Sequence, residues 1–430
     1  MKVKDNNIAI VVYSHFSRDA RVRRYAESLA RKGYWVDVVC LKENYSPKEP
    51  NISLFMYPLG RRRLGWLWYI FEYISFFLYS TYILSKKSFY RKYKAVHINN
   101  MPDFLIFSSF IPKSLGTKVI LDLHDPMPEL YMSKYHTDKN NLTVRLLCRL
   151  EGISMGFADK ILTANESFRS IFLQRHPEIK GKISVILNCP DPRIFNSQHS
   201  TNNIKRKSDN SQLIPPQRDP ASGGTTLHPQ QFILMYMGTV EKRFGLDIVI
   251  GALPELIKKI PNIKFVLIPK IEDEGKYFHN FKFQISNFKL EKYVQILPPL
   301  PLEKIADKLQ EADIGIVLAK NGVFTENIFP VKLLEFIQMG IPVIATRTKT
   351  LAGFFDDRQI AFLKENSPEE FARIVLNLYK HPEIRSVLAK RACKYLKTYN
   401  WEKEEKKYLE IADTLIRDLD RSSLVSMMLF

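Results

Sequence analysis

Cysteine is scarce in this chain. Cys40, Cys148, Cys189 and Cys393 are the only four in 430 residues, and they stand far apart without metal-type spacing. Such a set neither staples a small secreted domain nor builds a zinc site, and it reads as reduced thiols in a cytosolic protein. No secretory leader is expected either. Met1 to Asn7 is charged and polar, and the apolar run from Ile8 to Tyr13 is only strand-length, so a cytoplasmic location is expected. There is no zinc-finger spacing, no RNP-like motif and no dense basic helix suited to a groove, which argues against nucleic acid as a partner. Internal repeats are absent beyond two similar halves.

What is present is a globular composition, 45% hydrophobic and 25% charged, in a chain too long for one ordinary core. Two domains are therefore expected. The net charge of +19 is uneven: residues 1–200 hold 30 basic and 17 acidic side chains, a surplus of +13. That surplus points to an anionic partner such as a membrane surface or a diphosphate lipid.

Short apolar runs alternate with helical patterns. Strands are expected near Ile8–Tyr13, Trp35–Leu41, Ile52–Leu59, Ala95–Ile98, Lys118–Leu123, Lys160–Thr163 and Ser184–Leu187. A second series follows at Phe232–Met237, Lys264–Ile268, Val294–Leu297, Ile314–Leu318 and Pro342–Ala345. This is the βαβ signature of α/β, doubly wound parallel sheets, here two of them. Residues 197–231, rich in Ser, Asn, Pro and Gly, are expected to be a disordered linker between a first domain at 1–196 and a second at 232–400. Residues 401–430 open on a charged helix.

Leu64 to Leu84 is the one long apolar run, aromatic throughout, with Arg61–Arg63 before it and Lys86 and Lys87 after it. Its length matches a bilayer. Glu72, Ser75, Tyr79, Tyr82 and Lys86 recur at helical spacing, however, and form a polar stripe. The expectation is a helix lying in the membrane interface; a core helix packed on the sheet and a membrane-spanning helix are the alternatives.

Asn327 to Thr346, NIFPVKLLEFIQMGIPVIAT, reads as loop, helix and buried strand. Pro330 suits a first helical turn, and Gly340 suits a left-handed C-terminal residue. Lys332 lies in that first turn, where free N–H groups and the helix dipole favour an anion, and Glu335 follows at i+3. A Lys at a helix N-terminus suits a diphosphate, and a nearby carboxylate suits ribose hydroxyls. A core helix with a solvated ion pair would show the same pattern.

This segment resembles the donor motif of the family-4 retaining glycosyltransferases of the GT-B fold. A branch of that family carries P-x-K-L-x-E-[FY]-x-x-x-G-x-P-V-[IV]-A-T, and Pro330 to Thr346 follows it. The family usually has two Glu eight positions apart, the second on the nucleotide ribose. Glu335 matches the second; the first falls at Asn327, a departure, with Glu326 next to it. YSHFSRDARVRRYAESLARKGYWVDVVCL (Tyr13–Leu41), LDLHDPMPE (Leu121–Glu129), NCPDPRIF (Asn188–Phe195) and YMGTVEKRFGLDIVIGAL (Tyr236–Leu253) resemble further family segments in the family's order.

The resemblance implies two Rossmann-like domains facing a cleft, with acceptor on the first and nucleotide-sugar on the second, and a C-terminal helix crossing back to the first. It implies hexosyl transfer from a nucleotide-sugar to a lipid-linked or saccharide acceptor in polysaccharide or glycoconjugate synthesis. Such transfer must neutralise a departing diphosphate, hold an oxocarbenium-like sugar and remove the acceptor proton. His124, Arg243 and Lys332 are the catalytic candidates, with Lys242 competing with Arg243 for the phosphate loop Gly238–Gly245. Gly238, Lys242, Glu326, Asn327, Pro330, Val331, Leu333 and Glu335 are the donor-side candidates. Ser17, Asp19 and Arg21 are expected on the acceptor side, although Arg21 could simply cover a helix surface. No cofactor or metal is expected, since Asp356-Asp357 and Asp122/Asp125 lack the setting of an Asp-x-Asp donor motif. The location expected is the cytoplasmic face of an anionic membrane, peripherally. Two other readings remain: a GT-B-like nucleotide-sugar epimerase, and a non-catalytic partner subunit, favoured by Asn327.

Overall fold

The structure is a computed structural model that describes residues 6–59, 66–195, 231–270 and 276–428. The chain divides into two compact units: residues 1–188 together with 401–430, and residues 189–400. The first break falls at Cys189, ahead of the 196/197 boundary expected from composition. The expected linker, 197–231, lies outside the described residues except for Gln231, as do Arg61–Arg63.

The first unit carries a seven-stranded sheet in the order β3-β2-β1-β4-β5-β6-β7. The strands are β1 (Asn7–Val11), β2 (Trp35–Leu41), β3 (Ile52–Tyr57), β4 (Tyr93–Asn99), β5 (Lys118–Leu123), β6 (Lys160–Thr163) and β7 (Ile183–Val185). Every pairing is parallel. β1 (NIAIV) is buried along its whole length, as expected of a strand covered on both faces. Strand order reverses between β1 and β4, the kind of switch point at which ligands bind in open α/β sheets.

The C-terminal helix Trp401–Met428 completes this unit. Tyr408 is fully buried, stacks on Tyr25 at 4.1 Å between ring centroids and shares a hydrogen bond with His97 Nδ1 at 3.0 Å. Glu404 accepts the Leu187 N–H at 2.8 Å, and Glu405 and Asp413 pair with Arg31 and Lys32.

The aromatic run forms the helix Trp66–Tyr90, and no helix among the described residues is long and apolar enough to cross a membrane. Its orientation is something that periodicity alone does not give. Much of the polar stripe faces the protein: Glu72 is buried and accepts from Tyr13 Oη at 3.0 Å and Trp68 Nε1 at 2.7 Å. Ser75 meets Tyr57 Oη at 2.6 Å, and Tyr79 donates to the Met56 carbonyl at 3.0 Å. The polar groups dock because β3 and Tyr13 offer partners, which leaves apolar side chains on the outer face.

The second unit has a six-stranded parallel sheet, β10-β9-β8-β11-β12-β13. Its strands are β8 (Phe232–Gly238), β9 (Ile263–Pro269), β10 (Val294–Ile296), β11 (Ile314–Val317), β12 (Val343–Thr346) and β13 (Ala361–Leu363). The switch point lies between β8 and β11. The helix Val331–Gln338 sits against β11, where a Cβ on Gly315 would lie 2.5 Å from Phe336 Cγ. Only glycine allows that approach, and it fixes how close Lys332's helix comes to the sheet. The helix ends as expected, with Gly340 at φ 70°. Pro330 stands one position earlier than expected, at the N-cap, so Lys332 is the second residue of the helix.

Candidate functional site

Two groups of predicted residues assemble, one in each unit.

In the second unit, β8 ends at Gly238 and the chain turns into the short 3-10 turn Lys242–Phe244 before the helix Leu246–Lys259. Lys332 reaches over from its own helix. Its Nζ lies 3.9 Å from the centroid of the Tyr236 ring and 5.0 Å from that of Phe244. A Cβ at Gly238 would be 3.6 Å from that same Nζ, so the ammonium stands where β8 ends. Burial drives the Lys332 amine down to about 7, with Glu335 pulling it the other way. Arg243 packs on the other cation's ring: its guanidinium carbon is 5.1 Å from the Phe244 centroid and 5.4 Å from Phe324. Arg243 Nη2 pairs with Glu241 at 2.6 Å, while its Nε and Nη1 are buried with no hydrogen-bond partner among the described residues. Lys242, the competing cation, is exposed. Two cations therefore share one aromatic ring at the carboxyl end of β8, and one of them holds two buried donors.

The Glu326–Asn327 pair is used locally. Glu326 accepts the Lys349 N–H at 2.7 Å, and its carbonyl accepts the Thr350 N–H at 3.1 Å. Asn327 Nδ2 donates to the Val323 carbonyl at 2.7 Å. Both side chains hold turns together. Leu333 is fully buried in the core and presents no side chain to a donor, whereas Pro330, Val331 and Glu335 are half-buried.

In the first unit, His124 follows β5. Its Nε2 lies 3.2 Å from Asn99 Oδ1 and 3.3 Å from Asp122 Oδ2, and its backbone N–H donates to Asn100 Oδ1 at 2.8 Å. Arg21 is buried and does not cover a helix surface. Its Nε and Nη2 grip Asp122 at 2.8 and 3.0 Å, and Nη1 donates to the Ile186 carbonyl at 2.8 Å. Burial alone would raise the Asp122 carboxyl, but Arg21 and then His124 hold it well below the usual range. His97 lies beneath, 3.9 Å from Asp122, and burial brings it down to about 4, so it is neutral. Asp19 caps the helix Ala20–Arg31 by accepting the Val22 N–H at 3.1 Å. Ser17 binds Glu43 through its N–H at 3.0 Å and also through its hydroxyl. Arg21 and Asp19 thus both have structural partners, and His124, at 23% exposure, is left partly open, as are Ser17 and Asp19. Glu129 is buried against Arg175. Tyr236, Phe244, Glu241, Asn99 and Asn100 were not foreseen; they are brought in by tertiary packing and carry no spacing signal.

Comparison with known proteins follows the same division. A family model described as Glycosyltransferase Family 4 matches residues 20–193, and one described as Glycosyl transferases group 1 matches residues 219–395. Together they span most of the chain, which belongs to the family-4 glycosyltransferases. Among curated relatives, the GPI3 subunit of phosphatidylinositol N-acetylglucosaminyltransferase from Saccharomyces cerevisiae is 19% identical over 54% of this chain and 46% of its own length. The chain spans about half the length of the curated relatives it matches. Sucrose-phosphate synthase from Thermosynechococcus elongatus superposes with a TM-score of 0.70 at 15% identity, covering 96% of this chain and 100% of that one. HepE from Anabaena, solved with UDP-glucose, gives 0.65 at 14% identity over 95% and 99%. The fold is GT-B.

Proposed function

We propose that the protein is a retaining glycosyltransferase that moves a sugar from a nucleotide-sugar to a saccharide acceptor carried on a lipid, at an anionic membrane surface. The observation that carries this reading is the cation pair in the second unit. A half-buried amine drawn down to about 7 and a guanidinium with two nitrogens that find no partner among the described residues call for a polyanionic ligand. A nucleoside diphosphate has that charge. The N-terminus of the Val331–Gln338 helix adds its free N–H groups, and Glu335, a turn along, takes the ribose. HepE, solved with UDP-glucose, supports a nucleotide-sugar as the donor. The phosphatidylinositol in the yeast relative's name supports a lipid-linked acceptor.

In this reading the bond between the sugar's anomeric carbon and the diphosphate oxygen breaks. Lys332 and Arg243 neutralise the leaving group, taking the part a metal plays elsewhere. The acceptor oxygen bonds to the same face of the sugar and its proton passes to the departing phosphate oxygen, so no protein base is invoked. His124, in the first unit, contacts the sugar, and Ser17 borders the acceptor. Glu326 and Asn327 are left to hold the donor's hydroxyls through whatever lone pairs their turns leave open.

A thermal-shift screen against UDP-, GDP- and dTDP-sugars, followed by assay of nucleoside diphosphate release with and without acceptor, tests the reading. Glu335→Gln is expected to weaken donor binding more than turnover. Absence of any donor shift would favour a partner subunit without activity, and release of nucleotide without need of acceptor would favour an epimerase.

A further inference from the structure

The Trp66–Tyr90 helix turns its polar groups inward, and a second helix of the same unit, Leu142–Phe157, shows a matching outer face. Phe71, Ile74 and Leu78 on one and Leu142, Leu146 and Ile153 on the other are 48–80% exposed. Each set follows helical spacing, so each is one stripe. The segment between β4 and β5 joins the two helices: Phe77 meets Phe104 at 5.9 Å, and Phe107 meets Phe157 at 5.3 Å. These are neighbouring elements of one layer.

The charges on that layer are one-sided. The two helices contain one carboxylate each among the described residues, and both are buried: Glu72 against Tyr13 and Trp68, Glu151 against Arg175 Nη1 at 2.7 Å. The exposed charges on the two helices, among the described residues, are Lys86, Arg145 and Arg149, all positive. We infer that the two helices form a composite face that seats in an anionic lipid leaflet, the Leu142–Phe157 helix being a second point of insertion beside the Trp66–Tyr90 helix. A second copy of the chain fits this face less well, because it would set basic residues against basic residues. Apolar side chains with flanking Arg and Lys are what an interfacial helix uses. The Tyr13–Glu72 hydrogen bond places the Phe71 turn at the carboxyl end of β1, the end of the sheet at which His124 also stands.

This inference rests on the membrane-surface part of the proposed function and is tested apart from it. Flotation of the full chain with phosphatidylcholine vesicles, plain or with about one-third phosphatidylglycerol, reads the partition. Binding to the anionic vesicles, weakened by salt, is expected. Leu142, Leu146 and Ile153 replaced together by Ser should lower it about tenfold, as should Ser at Phe71, Ile74 and Leu78. Arg145→Gln with Arg149→Gln, a pair that leaves the core untouched, should weaken binding to anionic vesicles and not to plain ones. Nucleotide-sugar thermal shift should be unchanged in all three, which also reports that they fold. Unaltered partition of the Leu142 set and of the Arg pair would overturn the composite face. So would a lipid-free dimer that the Ser sets dissociate, which would make a second copy the occupant. Vesicle binding without any nucleoside diphosphate release would keep this inference and sink the transfer reading.

Discussion

Lys332 carries its chemistry because its half-buried amine is packed against the Tyr236 and Phe244 rings. An amine that sheds its proton near pH 7 is only part charged there, and an anion that repays the desolvation restores the rest. The folded value lies below the 10.5 of the unfolded chain, so between about pH 7 and 10.5 the unfolded state holds more protons. Stability from this group therefore rises with pH across that window. Donor binding runs the other way: the diphosphate restores the charge, so binding takes up a proton and affinity falls as pH rises above 7. Calorimetry in two buffers of different ionisation enthalpy should show that uptake, and Lys332→Met should remove it. Lys332→Ala should raise the transfer barrier by about 2–4 kcal/mol, measured as kcat/KM. Arg21 acts through stability instead. Arg21→Ala leaves Asp122 buried without its cation and should cost about 3–5 kcal/mol, read from the urea midpoint. A near-zero change would mean that water or His124 replaces the guanidinium.

Among elements, the β11 contact with the Val331–Gln338 helix sets the position of Lys332. Gly315→Ala puts a methyl into the Phe336 ring, which must move or push its helix outward. A loss of about 1–3 kcal/mol is expected, together with a lower kcat, since Lys332 rides on the same helix. Substrate-saturated turnover and a thermal melt check both parts. Strands were the legible elements: Trp35–Leu41, Lys118–Leu123 and Lys160–Thr163 run where their β-branched and apolar residues place them. β13 was missed because Ala361–Leu363 is three residues long and too short to show a period. Gly340 and the Lys332 turn were readable from local rules. The inward stripe of the Trp66–Tyr90 helix was not, because periodicity identifies two faces and not which one finds partners. For the same reason the ion pair that buries Arg21 was not legible. Asp122, the partner that claims Arg21, is 101 positions away.

For the whole molecule, the first unit is sewn together from both ends of the chain. Tyr408 fills a space between Tyr25 and His97 that residues 1–188 cannot fill themselves. Tyr408→Ala should cost about 3 kcal/mol and leave His97 without its hydroxyl. Hydrogen exchange should then quicken in β1, β4 and β5 and leave β8 to β12 unchanged. Equal loss in both sheets would show that the two units unfold together.

The same arrangement bears on synthesis. Residues 189–400 are continuous and have all their partners once Asn400 has left the ribosome. The sheet β1 to β7 is made before the helix Trp401–Met428 that packs on it, and so it matures only after residues 189–400 have also been made. Its apolar outer face is therefore carried through translation on an unfinished support, and a ribosome stalled just short of Trp401 would release a chain with one finished domain and one open one.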